Sequence, residues 1–256
     1  MKYNDIVNEI KTELKKKPFA LELFTKTIEN KLFNTCAEMS NAVTVTRMGY
    51  NDHGKVHSVI IARSAITIFN LLVDAGVKPT FVAEEHGDYE DSLAITVLGA
   101  LTHDIGNCVH REFHHLHGAY LAEKIAEQVI DKNKKNREYM KLAIIEAVFS
   151  HDESVKSTSI ESGIIKVADG TDCTKGRARI PYRLFGKNDI HAISALAIKS
   201  VEIRKGTDKY IEIVVDMENP AGIFQINEVM QKKIDASNIK QFVKVIPLVN
   251  GKPYSY

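Results

Sequence analysis

His103 and Asp104 stand side by side in the stretch Leu98–Asn107, after a run in which Val97, Leu98, Ala100 and Leu101 give the preceding helical turns an apolar surface. Both side chains are metal ligands. A carboxylate buried at the end of an apolar helix must be matched by a cation or by strong donors, because burying the bare charge is very costly. Further ligand types recur along the chain: His57, His114 or His117, His151 and Asp169 each fall at or near one end of a separate helix-periodic segment. Mixed nitrogen and oxygen donors suit Mn, Fe, Co, Ni or Zn, and sets with open positions are typical of catalytic metals. A hard Ca site would use oxygen alone.

The elements that must position these residues can be read from hydrophobic period. Ile6, Val7, Ile10 and Leu14, then Phe24, Ile28, Leu32 and Met39, predict an all-helical opening. Gly49 to Asp52 breaks that pattern, and Asp52 is expected to cap a helix over residues 55–75, with His53 and His57 together across its start. Residues 77–91 read as a loop leading into the helix that ends at His103, and Gly106 as the left-handed residue that stops it. Helices follow over REFHHLHGAYLAEKIAEQVI and from Tyr139 to Ser150, the latter carrying His151 toward the core. Thr158 with Glu161 has the form of a capping box for a helix whose face carries Ile165, Asp169 and Asp172. From about Lys199 the period becomes alternating, with Val201 and Ile203, then Ile211, Ile213 and Val215, separated by Gly206-Thr207-Asp208, which reads as a hairpin. Asn219-Pro220 opens one more helix, and Phe242 to Leu248 returns to strand.

The fold expected is therefore mainly α: a helical bundle over residues 1–190 and a small α+β unit, β-β-α-β, over 191–256. The ligand set ends at Asp169, so the C-terminal unit is expected to be separable from the chemistry. Formal net charge is +1, from 34 basic and 33 acidic side chains, so no global field attracts nucleic acid or an anionic membrane. Cys36, Cys108 and Cys173 are odd in number and widely spaced, which fits a reducing interior. No signal-peptide core or membrane-length apolar run is evident, so a cytoplasmic protein is expected. Ten histidines, eight of them between His53 and His117, are the compositional oddity. A single His on an apolar helix face is usually a hydrogen-bonded core residue, and His86, His110, His115 and His191 take that reading.

His57 followed by SVIIARSA, the HDIG pair, HHLHGAYLAEKI, FSHDE and IIKVADGTD together resemble the metal-dependent HD-domain phosphohydrolase superfamily, over roughly residues 51–182. The resemblance implies an HD-domain helical bundle in which His57, His103, Asp104 and Asp169 hold a divalent metal: Mn, Fe, Co, Ni, Zn or Mg. In two-metal branches further histidines complete a second site, with the aspartate of the HD pair bridging; His114 and His151 fit by position. His114 is preferred to His117 because His114 and Gly118 reproduce the family's His-x-x-x-Gly spacing. Asn107 stands where HDIG is usually followed by lysine, and the Gly-Tyr-Pro signature of cyclic-di-GMP phosphodiesterases is absent after His151.

The function expected is a metal-dependent phosphohydrolase, a phosphomonoesterase or phosphodiesterase, acting on a nucleotide or related phosphate ester through a metal-activated water. One or two ions would serve, with Asp104 orienting the water and Asp172 a general-base candidate or a residue that orients a ligand. In KGRARIPYR, Lys175 is a catalytic candidate, and Arg177 and Arg179 are substrate-binding candidates, because guanidinium forks match phosphate oxygens. His53 and His117 are candidates for orienting ligands. A small-molecule partner is expected rather than nucleic acid or membrane, and a homo-oligomer is compatible with the sequence. The alternative is a non-catalytic nucleotide- or metal-binding sensor that reports through its C-terminal unit.

Overall fold

The computed structural model describes residues 2–174 and 194–254, so the expected boundary near residue 190 lies outside the described residues. The opening is helical: α1 (Tyr3–Glu13), α2 (Pro18–Glu29) and α3 (Lys31–Asn41), the last continuing as a π-helical stretch, Ala42–Arg47, up to Gly49 at φ 72°. Then come α4 (Lys55–Asp74), short α5 (Thr80–Ala83), α6 (Tyr89–Thr102), α7 (His114–Val129), α8 (Arg137–Phe149) and α9 (Ile160–Thr171).

Three of these helices form the buried centre. α4, α6 and α9 pack against one another, and every residue of α6 from Asp91 to Thr102 is buried. Being surrounded, α6 needs no polar face, and its sequence shows little amphipathic period. α4 is long and apolar enough to cross a membrane by composition, but most of it is buried in the bundle. The other helices cover this core, α1 against α4, α2 and α8 against α6, and α7 against α8.

The C-terminal unit is a four-stranded sheet of β1 (Ile198–Lys205), β2 (Ile211–Met217), β3 (Val243–Val249) and short β4 (Lys252–Pro253), in the order β1-β2-β3-β4. β1 and β2 form the expected antiparallel hairpin, with Ile203 opposite Ile213. β3 runs parallel to β2, so the connection crosses over through helix α10, which runs through Ile223–Gln225, a π-helical stretch Ile226–Gln231 and Lys232–Ala236. β4 adds an antiparallel edge that the β-β-α-β reading does not contain.

Several local expectations change. Gly54, not Asp52, is the N-cap of α4; Asp52 accepts the Gly54 N–H at 2.8 Å and shapes the turn before it. Residues 77–91 are not a plain loop, because Asp88 caps α6 in a capping box with Asp91. The capping box of α9 is Ser159 with Ser162, while buried Glu161 accepts the Phe81 and Thr80 N–H groups and the Ser92 hydroxyl, fastening α5 to α9. Gly106 is not left-handed. It lies in a 3₁₀ turn, Ile105–Cys108, where α7 crosses so closely that an added Cβ would lie 1.9 Å from the His114 carbonyl oxygen and 2.4 Å from the Gly118 nitrogen.

Because those clashing atoms are backbone, Gly106→Ala must push α7 off the turn that carries the HD pair. The expected cost is at least about 3 kcal/mol, roughly a 6–12 °C fall in Tm for a chain of this size. Thermal unfolding of the variant checks this, and an unchanged Tm would show that the two segments do not cross as described.

Candidate metal centre

The helix ends deliver their side chains to one point. His57 stands in the first turn of α4, His103 at the C-cap of α6, His114 at the first residue of α7, His151 just beyond α8, and Asp169 in the last turn of α9. His57, His103, Asp104, His114, His151 and Asp169 are all buried. Of the six, the turn Asp104–Cys108 places Asp104 between two pairs of imidazoles.

Each of these imidazoles, and His53, is oriented by an acceptor on its Nδ1, local for all but His57. His103 Nδ1 donates to the Ala100 carbonyl at 2.8 Å, His151 Nδ1 to Val148 at 2.6 Å, His114 Nδ1 to Arg111 at 3.0 Å and His53 Nδ1 to Asn51 at 2.6 Å. His57 Nδ1 donates to Asp172 Oδ2 at 2.7 Å. A carbonyl or carboxylate only accepts, so in the neutral rings these bonds leave the lone pair on Nε2. Tying the outer nitrogen in this way is how ligating histidines are commonly held.

The inner nitrogens crowd together. His57 Nε2 lies 3.1 Å from His103 Nε2, and His114 Nε2 lies 3.1 Å from His151 Nε2. Asp104 divides its oxygens between the pairs: Oδ2 is 3.3 Å from His57 Nε2 and 3.4 Å from His103 Nε2, while Oδ1 is 3.4 Å from His114 Nε2 and 3.6 Å from His151 Nε2. Asp169 Oδ1 joins the first pair, 3.2 Å from His57 Nε2 and 3.7 Å from His103 Nε2. Facing lone pairs at such spacing repel unless a cation or proton lies between them. The donor chemistry therefore fits a divalent metal, and within each of the sets His57, His103, Asp169 and His103, Asp104, His151 the donor atoms lie within 4.8 Å of one another.

Electrostatics divides the centre in the same way. Burial penalises His103's charged form, but Asp104 and Asp169 outweigh it and raise its pKa. Burial likewise opposes ionisation of the carboxylates, yet His103 and His53 hold Asp104, and Lys233 and His103 hold Asp169, well below the ordinary carboxylate range. On the other side, burial and then His151 push His114 down to about 3. Burial also lowers His151, against the pull of Asp104.

A family model, the HD domain, matches residues 79–173. A relative, the uncharacterized protein MJ1020 of Methanocaldococcus jannaschii, is 48% identical over 227 residues, covering 87% of this chain and 86% of the relative. This chain belongs to the HD-domain family. No solved structure matches it. The HD-domain match starts after α4, so His57 enters the centre through the fold and lies outside the matched span.

The structure brings together His57, His103, Asp104, His114, His151 and Asp169, with His53 Nε2 4.0 Å from Asp104 Oδ2. His117, one turn beyond His114, is in none of the ligand-spaced groups among the described residues, and its buried Nδ1 has no hydrogen-bond partner. His115 is not a bonded core residue: its Nδ1 is also without a hydrogen bond, 3.9 Å from Asp152 Oδ2, in a third ligand-spaced group with His114. Lys175, Arg177 and Arg179 lie outside the described residues. Sequence reasoning missed Asn107, whose amide donates to Asp104 Oδ1 at 2.9 Å, and two cations. Arg111 NH1 reaches within 3.7 Å of Asp104 Oδ1, and Lys233 Nζ donates to Asp169 Oδ2 at 2.7 Å. Asn107 and Arg111 follow the HD pair closely enough to be found as neighbours in sequence. Lys233 gives no local signal.

These shifts fix how pH acts on the metal-free protein. Below about pH 6.5 the unfolded chain protonates histidines that the folded centre keeps neutral at positions 114 and 151, so their contribution falls with pH, and Asp104 and Asp169 add to the loss in stronger acid. Above it the unfolded chain has lost the proton that His103 still holds, so that contribution falls as pH rises through the raised value. Denaturant unfolding in excess chelator should show this centre's contribution peaking near pH 6.5, and a divalent ion, which must displace the His103 proton, should abolish the alkaline decline. A decline that survives metal loading would contradict the placement.

Proposed function

We propose that this chain is a metal-dependent phosphohydrolase acting on a nucleotide or related phosphate ester. The observation that carries the reading is the division of Asp104: one oxygen faces His57 and His103, the other His114 and His151, the arrangement of a carboxylate shared by two ions. His57, His103, Asp104 and Asp169 would hold the first ion, and Asp104, His114 and His151 the second. A bound divalent ion supplies a water whose pKa falls from about 15.7 toward roughly 7, together with charge that neutralises phosphoryl oxygens.

The chain's own groups do the rest. Asn107 fixes the Asp104 carboxylate through its amide. Asp172 meets His57 from the Nδ1 side, which, of its two expected roles, supports orienting that imidazole over acting as a general base. Among the described residues, Arg111 is the open cation of the centre: its side chain is 38% exposed, against 4% for Asp104, and its contacts to Asn107 Oδ1 and His114 Nε2 are long, at 3.3 Å each. A guanidinium at the rim of a buried ligand set is placed to take phosphoryl oxygens from an entering ester. Lys175, Arg177 and Arg179, within seven residues of Asp172 in sequence, are proposed to add to that anion site.

A panel of nucleotides and artificial phosphate esters, tested with Mn, Co, Ni, Mg and Zn, should show metal-dependent phosphate release or diester cleavage. His114→Ala combined with His151→Ala should keep one tightly bound ion, lose the other, and lose most turnover. No turnover across the panel would leave the sensor reading. Arg111→Ala should retain its metal while KM rises about 10–100-fold, the loss of a charge-assisted contact of about 1.5–3 kcal/mol. An unchanged KM would remove Arg111 from the substrate site.

A further inference from the structure

Asp169 turns its two oxygens toward different parts of the molecule. Oδ1 faces the imidazoles of His57 and His103, while Oδ2 accepts from Lys233 Nζ at 2.7 Å. Lys233 belongs to α10, in the C-terminal unit, 64 residues farther along the chain. The same ammonium approaches the His151 carbonyl at 3.4 Å, so one side chain of the C-terminal unit touches two segments that carry ligands. It is well covered, with 13% of the side chain exposed.

This contact rests on a built seat. Gly163, Lys166 and Gly170 lie along one face of α9 at helical spacing, and each meets the C-terminal unit. An added Cβ at Gly170 would stand 3.4 Å from Met230 Cα and 3.5 Å from Lys233 Cδ, and one at Gly163 would stand 2.2 Å from Asn238 Oδ1. Between them the buried Lys166 ammonium donates to the Val155 carbonyl and, at 3.3 Å, to the Ala236 carbonyl. The Ser157 N–H donates to the same Ala236 carbonyl at 3.1 Å. The expectation of a unit separable from the chemistry therefore does not describe this fold.

We propose that the C-terminal unit is a working part of the metal centre, with Lys233 as a positioning residue that holds Asp169 so that a single oxygen faces the ion. The proposal rests on the metal reading above. Two effects oppose each other at this position. An ammonium repels a divalent ion, but its charge is already matched by Asp169, and it faces the oxygen turned away from the imidazoles. Removing it takes away the charge-assisted donor that fixes the carboxylate's rotation. Partners behind metal ligands are typically worth 10–100-fold in affinity, so orientation outweighs repulsion.

The test uses the full chain with Lys233→Met, Lys233→Arg and, as a neighbouring control, Lys232→Met, whose lysine is 52% exposed and paired with Glu228. Mn(II) and Zn(II) affinity by chelator competition, and the EPR spectrum of the Mn-loaded protein, are the readouts. Lys233→Met should weaken the tighter ion about 10-fold or more and alter the spectrum, Lys233→Arg should stay within about threefold of wild type, and Lys232→Met should change neither. If Lys233→Met does not fold, Lys233→Gln carries the same expectation. Wild-type protein that binds no divalent ion would sink the metal reading itself. Wild-type binding matched by an equally tight Lys233→Met with an unaltered spectrum would overturn only the role of Lys233.

Discussion

Two carboxylates, Asp104 and Asp169, lie buried among imidazoles inside a helical bundle, and the rest of the structure answers that burial of negative charge. A charge in such a place persists only with partners, so the chain brings five separate helix ends to it. The arrangement is economical because helix termini have carbonyls to spare. His103 and His151 use carbonyls three residues back in their own terminal turns, and His114 that of Arg111 three residues before it, so each ring is aimed by its own helix end. Only His57 needs a distant partner, Asp172, and that aspartate follows the helix that already supplies Asp169.

Much of this was legible because the ligands sit on hydrophobic period. His151 continues the apolar stripe of α8, Asp169 that of α9, and the HD pair ends a helix rich in apolar residues, so burial could be inferred before packing was known. The hairpin and the strand period also carried over into the sheet. What failed were inferences in which one residue type serves two physical ends. Gly106 follows a helix and reads as its left-handed stop, but the glycine is needed for the absence of a Cβ beneath α7. Thr158 with Glu161 has capping spacing, yet Glu161 is spent on holding α5, a contact set by tertiary packing.

Lys233 illustrates the limit more sharply. In sequence it lies in Gln231-Lys232-Lys233-Ile234-Asp235, which reads as the solvated side of an amphipathic helix, and Lys232 is indeed solvated. Only the crossing of α10 on α9, made close by Gly170, turns one of two adjacent lysines toward Asp169 and leaves the other in water. No periodicity within a single element contains that choice. It also shows why the strands beginning after Asp169 were a poor guide to where the centre ends.

The charges of the two halves differ in a way that would order the filling of the proposed two-ion site. Among the described residues, Asp104, Asp169 and Asp172 bring three negative charges around His57 and His103, and Lys233 offsets one of them. The raised affinity of His103 for a proton answers the charge of Asp104 and Asp169 there. In the other half His114 and His151 are held neutral, Asp104 is shared, and Arg111 adds a positive charge at the rim. An ion there would draw its balancing charge from partly buried Asp152 nearby or from an anion in solvent. Under the proposed function the first half would hold its metal at rest. The second would be a place where metal and anionic ligand stabilise each other, the behaviour a phosphate-processing site requires.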